Sequence, residues 1–395
     1  MSTETQKLRF ADCMSRLGTE GAFDVLVRAR ELEAQGKEVI HLEIGEPDFP
    51  TAPNIVDAAK RALDQGWTHY GPPAGIPELR QAVAEDVSLR RRISVDPAEV
   101  VITPGAKPIM FYAILALAGP GDEVLYPDPG FPIYSSMSNF VGATPVPYAT
   151  PEERGFDIDV NEIMGKISGR TRLMILNSPN NPTGGMISRA GMETLVEALK
   201  DRDVMVLSDE IYSRLIYGGE PVSPAAFPEL RDRVIILDGF SKTYAMTGWR
   251  LGYGVMRRDL AQQIALLMIN SNSCTASFTQ MAGVEALRGD QSSVTAMLER
   301  FHERREVIVD GLNHIRGFHC QKPQGAFYAF PNIRETGKSS RELADALLNE
   351  AGVACLSGTA FGQQGEGYLR FSFANSVENI RIALDRIDGW IKNNL

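Results

Sequence analysis

Cysteine is scarce in this chain: four residues in 395, at positions 13, 274, 320 and 355. None belongs to a C-x-x-C pair and the gaps are irregular, which argues against both a zinc site and a disulfide framework. The expectation is therefore reduced thiols in a cytoplasmic protein. The five histidines, His41, His69, His302, His314 and His319, form no ligand pattern, so no metal is expected. Long apolar runs are also missing. The longest, Ile109–Ala118, is too short to span a bilayer and reads as a buried helix, so no membrane partner is expected. The first residues carry both signs of charge and lack the apolar stretch of a signal peptide. Three nucleotide and metal signatures are absent as well: G-x-G-x-x-G after a strand, G-x-x-x-x-G-K-[ST], and H-E-x-x-H. No repeat or low-complexity tract occurs.

What the chain has is an ordinary globular balance, 44% hydrophobic and 23% charged, with a net charge of −10. That acidity repels polyphosphate backbones and excludes nucleic acid as a general partner. From about residue 50 to 285, short runs rich in β-branched residues alternate with stretches of helical spacing. The runs are 99–103, 122–126, 173–177, 204–208, 234–238 and 251–255, and helices are expected at 107–118 and 191–199. Such alternation predicts an α/β fold, a mostly parallel sheet sandwiched by helices. The runs are apolar throughout, as a sheet covered on both faces requires. The chain ends read differently. A helix is expected over 16–37. A long charged helix follows Leu287, then strands at 318–321, 326–331 and 368–373, with helices at 340–351 and 377–392. The expected organisation is a large domain over 47–285 and a small α+β domain over 286–395, to which the segment 1–46 contributes.

In open α/β sheets, ligands bind beyond the carboxyl ends of the strands, and four strand ends carry distinctive residues. After 99–103 comes Gly105-Ala106-Lys107, a glycine turn into a helix N-terminus that suits a phosphate. After 173–177 comes a rigid turn displaying Asn180 and Asn181. After 204–208 comes Asp209, with Tyr212 close behind; taken singly, such an acid is more often a helix cap. After 234–238 comes a segment with Ser241, Lys242 and Arg250. A hydroxyl and a guanidinium suit an anion, and an amine in a partly cationic enclosure becomes a nucleophile toward carbonyls. Anion cradle, amide, carboxylate and amine together fit a phosphorylated aldehyde with a basic ring nitrogen.

These residues resemble the fold-type I pyridoxal 5'-phosphate (PLP) enzymes, specifically the class I/II aminotransferases of the aspartate aminotransferase superfamily, in the bacterial and archaeal subgroup. The resemblance runs from Gly45-Glu46-Pro47-Asp48-Phe49 through Tyr70-Gly71-Pro72-Pro73-Ala74-Gly75 and Ala245-Met246-Thr247-Gly248-Trp249-Arg250 to Arg370. It implies that Lys242 binds the cofactor aldehyde and that Asp209 pairs with the ring nitrogen. It further implies that Tyr212, assisted by Asn181, meets the ring hydroxyl, and that Phe131 stacks on the ring. Gly105, Ala106, Lys107, Ser241 and Arg250 would hold the phosphate, joined by Tyr70 of a second copy in a homodimer with shared active sites. Arg370 would bind the substrate α-carboxylate, with Asn181 and the backbone at Gly45. The implied activity is transfer of an amino group from an L-amino acid to a 2-oxo acid, 2-oxoglutarate or pyruvate, by a ping-pong route. A β-lyase, decarboxylase or cyclase on the same scaffold would use similar residues. A non-catalytic regulator is disfavoured, because only about 45 residues precede Gly45. Substrate choice stays open. Lys107 favours a dicarboxylate or else serves the phosphate loop, while the apolar Gly21-Ala22-Phe23 favours a neutral or aromatic side chain, or a broad range.

Overall fold

The computed structural model describes residues 8–395, so the first seven residues of the expected N-terminal segment lie outside it. Among the described residues there are twelve strands: β1 (Ile40–His41), β2 (Val100–Thr103), β3 (Glu123–Asp128), β4 (Thr144–Ala149), β5 (Thr171–Asn177), β6 (Met205–Asp209), β7 (Val234–Gly239), β8 (Gly252–Val255), β9 (Tyr328–Ala329), β10 (Val353–Ala354), β11 (Leu356–Ser357) and β12 (Leu369–Ser372). Seven of them form one sheet in the order β2-β8-β7-β6-β5-β3-β4. In it β8 runs antiparallel to both neighbours, and the remaining pairs are parallel.

Successive side chains of a strand point to opposite faces, and here both faces are covered. Val101, Leu173, Ile175, Ile235 and Leu237 join one core with Ile109, Ala113, Ile264 and Phe301. Their chain neighbours Val100, Met174, Leu176, Val234 and Ile236 join another with Leu79, Val83, Leu195 and Ala282. This double coverage is why the strand runs keep their polar residues at their ends. Each fully buried Leu or Ile contributes about 1.5–3 kcal/mol relative to exposure.

The pairing brings the informative residues to one edge. Thr103 and Gly239 both face Gly252, Asp209 lies beside Leu237, and Asn177 lies beside Asp209. The ends of β7, β6 and β5 are therefore side by side, with the end of β2 one strand further across the start of β8, so the loops that follow them leave the same edge of the sheet.

Both chain ends meet elsewhere. β1 pairs parallel with β10, and β11-β12-β9 form an antiparallel sheet. Ser372 N–H donates to Leu42 O at 2.7 Å, which joins these two small sheets. Helices Gly21–Ala34, Ser292–His314, Ser340–Ala346 and Val377–Asn394 belong to the same end regions.

Three local expectations differ from the structure. The helix expected over 16–37 is a short 3-10 turn, Asp12–Arg16, and a separate helix, Gly21–Ala34. The break arises because Arg16 leaves the chain direction to cap another helix, donating to Asn139 O and Phe140 O at 2.7 and 2.9 Å, while Gly18 N–H donates to Ser136 Oγ. The segment 318–321 forms only a bridge, His319 to Asn332. The side-chain amide of Asn313 takes both backbone groups of Cys320, leaving no ladder there. β4 was not expected, since Pro145 and Pro147 break the strand pattern. It is the sheet edge, where prolines are tolerated. Among the described residues no helix is long and apolar enough to cross a membrane, and no cluster could ligate a metal.

Candidate active site

The anion cradle begins where β2 ends. Thr103 Oγ1 donates to Gly105 O at 2.7 Å and sets the turn. Gly105 has φ +88, and a Cβ there would collide with the guanidinium of Arg250. Glycine is needed on both counts. Arg250 itself sits at φ 53, with Nη1 donating to Thr247 O at 2.7 Å. Helix Lys107–Leu117 starts at this turn with proline in its first turn and no side-chain cap, so its N-terminal dipole is open to an anion. Ser241 is buried two residues beyond β7.

Lys242 follows Ser241. It retains some exposed surface at the base of the cleft, but protein encloses its amine, which donates to Gly45 O at 2.6 Å. Burial lowers its pKa to about 8; Glu46 opposes the shift, and Arg370 and Arg250 add to it. A Cβ on Gly45 would strike the Tyr328 hydroxyl, so this close approach too requires glycine.

Asp209, at the end of β6, is 8% exposed. The Tyr134 hydroxyl donates to its Oδ2 at 2.7 Å, and Ile211 N–H to Oδ1 at 3.3 Å. Burial raises its pKa to about 6 in spite of these bonds. Phe131 packs edge-on against Tyr134, with ring centroids 5.7 Å apart. Tyr212 shares a 2.8 Å hydrogen bond with the Tyr328 hydroxyl. Burial holds its pKa well above the usual value, so it remains a phenol.

Arg370, on β12, is 3% exposed. Its Nη1 donates to Asn181 Oδ1 at 3.0 Å and its Nη2 donates to Glu43 O. Tyr328 and Phe361 rings flank the guanidinium, with centroids 4.5 and 4.8 Å away. Its Nε is buried with no hydrogen-bond partner among the described residues. A buried cation with an unspent donor between aromatic walls has the chemistry to receive a carboxylate. Burial lowers its pKa, yet guanidinium stays charged at any working pH.

Two expected residues do not join this cluster within the single chain. The ammonium of Lys107 pairs with Glu20 and lies 5.3 Å from the Phe131 ring centroid, so it does not turn into the Gly105–Arg250 cradle. Tyr70 is 90% exposed. Four participants escaped sequence reasoning: Tyr134, Tyr328, the Glu43 carbonyl and Glu20. Tyr134 had a signal, being three residues after Phe131 on a helix, but the others meet the site only through long-range folding.

The model of the family "Aminotransferase class I and II" matches residues 37–387. The chain belongs to this family of fold-type I, PLP-dependent aminotransferases. An aspartate aminotransferase of Pyrococcus horikoshii is 42% identical over 92% of this chain and 93% of its own length. Aromatic-amino-acid aminotransferase 2 of Thermococcus litoralis is 39% identical over 91% and 93%. The crystal structure of the aspartate aminotransferase from Rhizobium meliloti superposes with a TM-score of 0.94 at 34% identity, covering 98% of this chain and 99% of that one. This aminotransferase therefore acts on amino acids and 2-oxo acids. Relatives named for aspartate and for aromatic amino acids stand at similar identity, so family membership alone does not choose between side chains.

Proposed function

We propose that this aminotransferase binds PLP through Lys242 and moves an amino group by a ping-pong route, with Arg370 receiving the α-carboxylate of every amino acid and 2-oxo acid. The observation that carries this reading is the unpaired Nε of buried Arg370, in a site where the amine of Lys242 has its pKa lowered to about 8.

The residues present fit the cofactor. Gly105, Ala106, the Lys107 backbone, Ser241 and Arg250 would hold its phosphate, and Asp209 its ring nitrogen. Tyr212 and Asn181 would meet the ring hydroxyl, and Phe131 the ring face. When bound, PLP supplies an electron sink that acidifies the substrate Cα–H. Arg370 and Asn181 fix the carboxylate, which limits the directions in which that bond can point. Lys242, whose pKa burial lowers to about 8, takes the Cα proton and returns it as general acid. A buried carboxylate such as Asp209 favours a protonated ring nitrogen as partner, because an unpaired buried charge is costly.

Tyr70, so exposed in the single chain, would reach the phosphate of a neighbouring copy in a cytoplasmic homodimer with shared sites. The division into a 47–285 cofactor-binding domain and a 286–395 domain completed by residues 1–46 is part of this reading. The pairing of β1 with β10 supports it. The test is a panel of L-amino acids against pyruvate and 2-oxoglutarate. Oxo-acid-dependent transfer that vanishes in Lys242→Ala is expected; ammonia release without an oxo acid would overturn the reading.

A further inference from the structure

Glu20 stands immediately before helix Gly21–Ala34, and its side chain crosses to Lys107 in an ion pair. The surroundings fix it there. On one side, Lys107 lies against Phe131, whose ring packs on Tyr134 beside Asp209. The same side anchors the backbone: Arg16 caps the end of helix Ile133–Phe140, and Gly18 is tied to Ser136. On the other side, Gly21 approaches Ala360, next to Phe361, which faces the Arg370 guanidinium. Glu20 thus bridges the two walls of the substrate cleft. Its charge acts on Lys242, Tyr328 and Arg370 alike.

We propose that Glu20 determines side-chain specificity: its carboxylate occupies Lys107 as an internal stand-in for a substrate side-chain carboxylate, so the site selects amino acids and 2-oxo acids with uncharged side chains over dicarboxylates. The inference rests on the reading that Arg370 holds the α-carboxylate, which leaves the side chain to meet this pair. An uncharged side chain leaves the pair intact and packs against Phe131, Phe361 and the methylenes of Lys107. A dicarboxylate must either place a second anion beside Glu20 or displace it from Lys107. Either route costs an interaction that the uncharged substrate keeps. The pair is partly solvated, with side-chain exposures of 46% for Lys107 and 19% for Glu20, so the discrimination is modest.

The test uses the PLP-loaded enzyme as wild type, Glu20→Gln, Glu20→Ala and Glu20→Gln/Lys107→Gln. Two readouts are taken: the ratio of kcat/KM for aspartate to that for phenylalanine, and the calorimetric Kd of succinate, which cannot react. Wild type is expected to favour phenylalanine. Both Glu20 single variants should raise the ratio about three- to fivefold and tighten succinate by a similar factor, and the double variant should lose both gains. A transaminating wild type that already prefers aspartate overturns the proposal alone. So do Glu20 variants in which both readouts stay within twofold of wild type. A wild type inert toward every donor overturns the aminotransferase reading, and this inference with it.

Discussion

Removing the guanidinium of Arg370 should weaken every substrate, whatever its side chain. The side chain is buried, holds Asn181 Oδ1 and Glu43 O with two of its nitrogens, and keeps Nε unspent. A charge-assisted hydrogen bond contributes about 1.5–3 kcal/mol, and a bidentate carboxylate makes two. Arg370→Ala also leaves the Asn181 amide oxygen and the Glu43 carbonyl without their donor, which disturbs the neighbouring pocket. The expected loss is about 3–5 kcal/mol, or roughly 10²–10³·⁵-fold in kcat/KM. Arg370→Lys restores a charge without the fork and should recover only part of it. The assay is steady-state kinetics with alanine, phenylalanine and aspartate as donors. A loss confined to aspartate would refute the reasoning, because Arg370 would then be reading the side chain. So would a loss smaller than threefold for all donors.

Four further outcomes follow from the same geometry. Tyr134→Phe removes the 2.7 Å bond that restrains Asp209, so the Asp209 pKa rises further above about 6. Its charge is present above that pKa and lost below it, so PLP affinity, measured by fluorescence titration, should fall more at pH 6 than at pH 8. The uptake of PLP by cofactor-free enzyme should accelerate as pH rises through about 8, where Lys242 gives up its proton, and level off beyond; a rate still climbing steeply toward pH 10.5 would place the amine in an ordinary environment. Gly105→Ala forces a side chain into a φ of +88 and against Arg250, and should release PLP on dialysis under conditions where wild type retains it. Ile235→Ala opens a cavity in the centre of the sheet and should cost about 2–5 kcal/mol of stability in denaturant titration.

The sheet was legible because its strands are buried on both faces. The strand Val234–Gly239 opens with the unbroken apolar run 234–237, and that run stands out in the sequence. The site residues at its edge were legible for the same reason: a buried strand that ends in Asp209, or leads to Ser241 and Lys242, displays its polar residues abruptly. β4 was not, because an edge strand pairs on one side and therefore tolerates Pro145 and Pro147. The helix break at residues 17–20 was equally hidden. Its cause is Arg16 reaching Asn139 and Phe140, and Gly18 reaching Ser136, contacts more than 100 residues away in the chain. The pairing of Glu20 with Lys107 has the same origin, and local spacing carries no trace of it. The Glu43 carbonyl reaches the site from just beyond β1, which pairs with β10, and Tyr328 from β9, which pairs with β12.

The most direct measurement is borohydride reduction of the PLP-loaded enzyme followed by peptide mapping. The account predicts one pyridoxyl group per chain, on the peptide that contains Lys242, and loss of that label in Lys242→Ala. Stoichiometric label on another lysine, or none while transamination persists, would contradict it.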